Sequence, residues 1–212
     1  MKILELNDEN YFGVFLETET VLRGGGVVAA PTDTVYGLLT KADDSKAVKK
    51  IFAIKDRAED KPLSVFVKDI PTARKYAYIS DSKAEFLEKV WPGKVTMIFH
   101  HKGKLAKELT GGKDTIGMRI PDNKLISNIL EKLDLPLAQT SANLAGEPPA
   151  KNTEDIKNYF SDKKNQPDLV VDGGELRGEP SLVIDFTRDR PVVLRTGILN
   201  KSDFDQMMKS MI

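Results

Sequence analysis

Short apolar runs alternate with amphipathic stretches along the whole chain, and that rhythm constrains the fold more than any other feature. Val27 to Ala30 follows Gly24-Gly25-Gly26 and is stopped by Pro31, the pattern of a buried strand entering a loop. From Ser45, the apolar residues Ala47, Val48, Ile51, Phe52 and Ile54 recur at helical spacing, with Asp43, Asp44 and Ser45 as ready caps. Strands are expected at Leu63 to Val67, Val95 to Phe99, Ile116 to Ile120, Leu137-Ala138 and Leu169 to Val171. Helices are expected at Ser82 to Val90, Asn123 to Leu133 and Thr153 to Phe160, the last capped by Thr153. Ser181 to Phe186 and Pro191 to Arg195 read as late strands forming a hairpin. Strands alternating with helices imply an α/β or α+β sheet with helices packed on it.

The chain has 212 residues, the length of one domain with a sizeable core. No internal repeat divides it, and Leu144 to Lys151 reads as a surface loop rather than a linker. Its 32 basic residues equal its 32 acidic ones, so it carries no net field to recruit nucleic acid or membrane through bulk charge. A local basic pocket is still allowed. With no cysteine, disulfides, zinc–thiolate sites, iron–sulfur clusters and cysteine nucleophiles are all excluded. Met1 to Asn10 is polar and acidic rather than signal-like, and no apolar run approaches the ~20 residues of a spanning helix. A cytoplasmic protein without a membrane partner is the expectation.

Polar clusters follow several strands, where α/β sheets place their sites. Pro31-Thr32-Asp33-Thr34-Val35-Tyr36-Gly37 sets two hydroxyls and a carboxylate on one loop, which by spacing alone reads as a turn bonding its own backbone. Lys55-Asp56-Arg57, with Lys61 after it, reads either as a cap on the negative end of the helix or as an anion clamp. Arg119 lies within an apolar strand and needs a partner or a ligand, unless that strand is an exposed edge. Gln139-Thr140-Ser141-Ala142-Asn143 sets four polar side chains directly after a strand, as a helix cap or as donors to a nucleotide. No Gly-Lys pair is followed by Ser or Thr, which leaves a phosphate-binding P-loop unsupported, and no dinucleotide fingerprint occurs. His100 and His101 are read as solvent-edge residues, and no metal site built of protein ligands alone is indicated.

Together, in order and spacing, these pieces resemble the YrdC-like family of threonylcarbamoyl-AMP synthases over about residues 10 to 197. The matching segments are Pro31 to Leu38, Lys55/Arg57, Lys61-Pro62-Leu63-Ser64, Trp91-Pro92-Gly93 with Val95-Thr96, and Thr115 to Arg119. Ser141-Ala142-Asn143-Leu144, Asp172-Gly173-Gly174, Ser181 and Arg195-x-Gly197 complete the set. The resemblance implies one YrdC-like domain over residues 1–212, of the short single-domain branch. It implies an α/β fold with a twisted, open, largely parallel sheet, surrounding helices and a large basic cavity.

The implied reaction joins L-threonine, bicarbonate and ATP into threonylcarbamoyl-AMP with release of pyrophosphate, for modification of tRNA position 37. Magnesium would arrive on the nucleotide's phosphates. Implied partners are double-stranded RNA or tRNA and the downstream tRNA threonylcarbamoyltransferase proteins. The resemblance assigns Lys55 and Arg57 to catalysis, with Lys55 neutralising phosphate charge. It assigns Arg57, Lys61, Thr115, Ser141, Asn143 and Arg195 to ATP, and Thr34, Arg119 and Ser181 to threonine. Two positions depart from the family pattern: Phe66 stands where many synthases carry a His, and Ser181-Leu182 where a Ser-Thr pair is usual. A Phe cannot hydrogen-bond a threonine hydroxyl. The alternatives are a non-catalytic RNA- or nucleotide-binding member and, less favoured, a carbamoyl-transfer accessory domain.

Overall fold

The computed structural model describes residues 1–188 and 190–197, so residues 198–212 of the expected single domain lie outside the description. In chain order the elements are β1 (Lys2–Glu5), α1 (Tyr11–Arg23), β2 (Val28–Ala30), β3 (Gly37–Lys41), α2 (Ser45–Lys55), β4 (Ser64–Phe66), α3 (Ile70–Tyr76) and α4 (Asp81–Val90). Then come β5 (Val95–His100), a 3-10 turn (Lys107–Thr110), β6 (Thr115–Arg119), α5 (Lys124–Leu133), β7 (Leu137–Ser141), α6 (Thr153–Phe160), β8 (Leu169–Asp172), β9 (Leu182–Asp185) and β10 (Val192–Arg195). The strands form one open sheet in the order β1-β8-β2-β3-β7-β4-β6-β5-β9-β10.

The expected open α/β sheet is present, with more mixing of direction than a largely parallel pattern suggests. The pairs β1-β8, β2-β8, β4-β6 and β5-β9 are parallel. The remaining pairs, β2-β3, β3-β7, β4-β7, β5-β6 and β9-β10, are antiparallel. The physical reason is connection length. The stretch from Ala30 to Gly37 is too short for a parallel crossover and holds β2 and β3 as a hairpin.

Strand alternation sorts the core into two layers. On one face Val27, Ala29, Leu38, Val65, Met97, Met118 and Ile184 pack with the residues of α2, α4 and α6. On the other face Val28, Ala30, Leu39, Phe66, Leu137, Leu169 and Val171 pack under Val14 and Leu22 of α1 and Ile126, Ile129 and Leu130 of α5. That second roof ends partway along the sheet. Beyond it the same face carries Ser64, Thr96, Gly117, Gln139 and Val183, which line a cavity instead of a core.

One local expectation changes. The N-cap of α6 is Asn152, whose side chain accepts from Asp155 N at 2.9 Å, and not Thr153, whose hydroxyl is buried without a partner among the described residues. An Asn in extended conformation at that position aims its carbonyl at the free amides, while Thr153 already lies inside the first turn. His100 and His101 are turned to the edge as expected, His100 pairing with the exposed Asp114 and His101 with Lys113 O. Among the described residues, no helix is long and apolar enough to cross a membrane.

Candidate active site

The site begins with the end of α2. Asp44 caps its start by accepting from Lys46 N and Ala47 N at 2.9 and 3.1 Å. Lys55 lies four residues after Ile51, on the buried face, and is only 1% exposed. In a continuing helix Arg57 would point almost the opposite way, two residues being about 200° of turn. Asp56 breaks that geometry by adopting a left-handed conformation, φ 51°, and the chain turns so that Arg57 also reaches the cavity. Helix capping therefore fails to describe Lys55: its Nζ donates to Ser141 O, Asn143 O and Asn143 Oδ1 at 2.6, 2.8 and 2.9 Å. These three acceptors occupy all three hydrogens of an ammonium. Burial, with the neighbouring Arg57 charge, pushes the Lys55 pKa down to about 7.

Asn143 ties that lysine to the following loop. Its Oδ1 also accepts from Ser141 Oγ at 2.6 Å, and its amide donates to Leu144 O and Glu147 O at 2.9 and 2.6 Å. Arg57 Nη2 donates to Pro62 O at 3.1 Å, while its buried Nε has no partner among the described residues.

At the other end of the cavity Arg119 is 2% exposed and ion-paired to Asp33. Its guanidinium lies over the Phe66 ring at 4.9 Å and approaches Thr34 Oγ1 at 3.5 Å. Phe66, fully buried beneath α5, thus offers an aromatic face to a cation at the position where the family pattern leads one to expect a hydrogen-bonding ring. Thr32 behaves as the turn reading expects, donating to Val35 O at 2.6 Å and accepting from Thr34 N at 3.0 Å. Across the cavity Arg195 Nε donates to Ser181 O at 2.9 Å and its Nη2 to Ser181 Oγ at 3.2 Å, and Ser181 Oγ lies 2.9 Å from Thr96 Oγ1. Burial lowers the pKa of Arg57, Arg119 and Arg195 alike, with the charge of Arg195 adding to the effect on Arg119.

The cavity encloses about 370 Å³, ample for a small ligand. Thr34, Arg57, Arg119, Ser141, Asn143, Ser181 and Arg195 all line it. Lys55 sits behind the wall, holding its backbone. The structure does not bring Lys61 or Thr115 to the wall: Lys61 is exposed, and Thr115 pairs with His100 beyond the cavity end of β6. The sequence reads Asp33 only as part of a turn and Gln139 only as one of a polar cluster, and assigns no site role to Ser64, Thr96 or Glu147. Only strand register shows which of these polar residues share a face.

Among the described residues, Lys55, Arg57 and Arg195 form no ion pair with a carboxylate, and Arg119 alone has one. An unpaired cation is costly where it is buried, as Lys55 is, unless an anion completes it; Arg57 is half-buried and Arg195 stands exposed at the cavity edge. The arrangement is an anion receptor with hydroxyl and amide donors between its charges. The described residues include no group of three or more metal-ligating side chains, and Glu147 is the one carboxylate on the wall. These residues do not fit a protein-held magnesium ion.

A family model for Sua5/YciO/YrdC proteins, described as telomere recombination, matches residues 20–197. The chain belongs to the Sua5/YciO/YrdC family. Within it, the chain is 35% identical over 189 residues to a Pyrococcus abyssi protein named threonylcarbamoyl-AMP synthase, covering 88% of this chain and 55% of that one. It is 34% identical over 200 residues to a Methanocaldococcus jannaschii protein named putative threonylcarbamoyl-AMP synthase, covering 94% of this chain and 93% of that one. The solved structure of P. abyssi Sua5 complexed with L-threonine superposes with a TM-score of 0.90 at 30% identity, covering 98% of this chain and 61% of that one. The chain thus spans little more than half the length of the P. abyssi relative.

Proposed function

We propose that the chain is a threonylcarbamoyl-AMP synthase, making L-threonylcarbamoyl-AMP and pyrophosphate from L-threonine, bicarbonate and ATP for threonylcarbamoyl-adenosine formation at tRNA position 37. The observation that carries this reading is a cavity with four basic side chains around it, only one of them neutralised, facing hydroxyls and amides. All three reactants present anions there, and relatives named for this activity share the fold and the family.

In this reading Arg119, Thr34 and Ser181 take the threonine, and Arg57, Ser141, Asn143 and Arg195 take the nucleotide. Lys61 and Thr115 keep their family assignment to ATP as residues that must approach from the rim. Lys55 holds the Ser141 and Asn143 backbone and lends its charge to the phosphates. Catalysis is then positioning plus electrostatic stabilisation of the departing pyrophosphate, with no covalent nucleophile. It is a nucleotidyl transfer: the carbamate oxygen displaces pyrophosphate at the α-phosphorus. Magnesium belongs to the reading as an ion carried in on the phosphates, and no step is assigned to it. We read the described fold as one domain acting in the cytoplasm, passing its product to tRNA threonylcarbamoyltransferase proteins and contacting tRNA or double-stranded RNA there.

The test is pyrophosphate release from ATP, bicarbonate and magnesium with and without threonine. Threonine-dependent release is expected. Release no higher than the threonine-free control overturns the synthase and favours a nucleotide- or RNA-binding member without chemistry.

A further inference from the structure

The two ends of the cavity are separated by a stretch of floor with no charge on it. Ser64 stands in register with Gly117 on one side and Gln139 on the other, and all three line the cavity. Arg119 lies two residues from Gly117, level with Phe66, while Ser141 lies two residues from Gln139 in the opposite direction, level with Gly37. Four residues of strand rise, about 13 Å, therefore separate the two ends, with the Ser64 row midway.

Gln139 donates its side-chain amide to Ser64 Oγ. The Ser64 hydroxyl is then an acceptor in that bond, and its own proton has no acceptor among the described residues. The second amide hydrogen of Gln139 is likewise uncommitted there. Gly117 keeps the floor low beside them: a Cβ at that position would come within 3.3 Å of both Ser64 Cβ and Thr96 Cγ2. Two neutral donors side by side over a shallow floor suit a planar CO2 unit with two oxygens.

We propose that Ser64 and Gln139 form the subsite for the carbamate, receiving bicarbonate and then the carbamate made from it. This rests on the synthase reading. With the amino-acid carboxylate on Arg119, the amine extends about 2.5 Å further and the carbamate carbon about 1.3 Å beyond it. Adding a contact of about 3 Å puts that carbon about 7 Å from Arg119, two residues of strand rise away and over the Ser64 row. The neutral amine bonds to the carbon of bicarbonate and water leaves, giving the carbamate anion. One carbamate oxygen then bonds to the α-phosphorus while the bond to the bridging oxygen breaks and pyrophosphate departs with the electron pair. Neutral donors hold the carbamate in place without tying up its charge, so the oxygen that must attack stays nucleophilic. An ammonium at the same spot would trap it as an ion pair.

The experiment is the bicarbonate dependence of pyrophosphate release in S64A and Q139L, with threonine and ATP saturating. Calorimetric binding of threonine alone and of ATP alone, and a thermal melt, are measured on each variant. Both variants are expected to raise the bicarbonate KM or lower kcat at least ~10-fold, as loss of an oriented donor does, while binding of each lone substrate changes less than about twofold. Unchanged bicarbonate kinetics, or a matching loss of threonine or ATP binding, overturns the subsite and leaves the synthase reading intact. An unaltered chain without bicarbonate-dependent release overturns both.

Discussion

Lys55 shows how a single buried charge can be both structural and responsive. Its ammonium fastens the Ser141–Asn143 turn by three hydrogen bonds, yet burial beside Arg57 has brought its pKa to about 7. The folded value lies below the unfolded one, so the group favours folding above the unfolded pKa and loses that contribution as pH falls through about 7. A bound triphosphate favours the ammonium and reverses the shift. Nucleotide binding at pH 8 is therefore expected to take up protons, measured by calorimetry in buffers of different ionisation heat. The uptake should vanish in K55M, and its absence from the unaltered chain would show that Lys55 is already fully charged. In the release assay, K55A or R57A is expected to lower the rate at least ~100-fold, as for a lost partner of transition-state charge.

The inward aim of Lys55 agrees with the apolar spacing of Val48 and Ile51, yet the sequence alone leaves helix cap and anion clamp both open. The role of Asp33 is not legible there, because only the fold brings it to Arg119, 86 residues away in sequence. Phe66 reads in sequence as a loss of hydrogen bonding, whereas in the fold it supplies an aromatic face for the Arg119 cation.

Among the elements, α2 is the clearest in sequence and the one the site depends on most. Its capping carboxylate Asp44 has a lowered pKa, chiefly because it accepts from the Ala47 amide. Replacing it with Ala is expected to cost about 1 kcal/mol, lowering the melting temperature by a few degrees. The difference should shrink as acid protonates the carboxylate, since a group with a lowered folded pKa loses its contribution as pH falls through that value. A melt of D44A equal to the unaltered chain at neutral pH would deny the cap its role.

Other elements leave only a faint mark on the sequence. The edge strand β1 is short and mostly exposed, and its pairing with β8 lies more than 160 residues away along the chain. α1 buries Thr18 and Glu19 beside Val14 and Leu22 while exposing Phe12 and Leu16, which blurs its apolar stripe. The Thr18 hydroxyl satisfies itself on Val14 O at 2.7 Å, and Glu19 pairs with Arg23. β3 and α3 are equally faint; β3 directly follows the polar loop whose Pro, Thr and Asp residues read as a turn.

At the scale of the whole molecule, balanced charge and a basic cavity coexist because the acids lie elsewhere. Glu17, Asp81, Glu131 and Asp134 pair with lysines and arginines on the outer surface. Binding should then depend on the local receptor rather than on long-range attraction. Inorganic pyrophosphate at about 100 times its dissociation constant should stabilise the fold by about 2.7 kcal/mol. That corresponds to a rise of roughly 5–10 °C in melting temperature for a chain of this size. An equal concentration of sodium chloride should not reproduce the rise, and R57Q should abolish most of it. A pyrophosphate melt identical to buffer would show that the cavity cations do not form a polyphosphate receptor.

The distance between the Arg119 row and the Ser141 row is fixed by backbone rise within neighbouring strands. The sheet therefore works as a ruler. Side-chain substitutions can change what each end grips, but none can change how far apart these two rows of the floor are. To lengthen or shorten the span, a strand would have to slip, and a slip of one residue turns its cavity-facing side chains into the core and its core side chains into the cavity. Ligands are thus sorted by length through the same hydrogen-bonded ladder that keeps the chain folded, and the measure cannot drift while the fold survives.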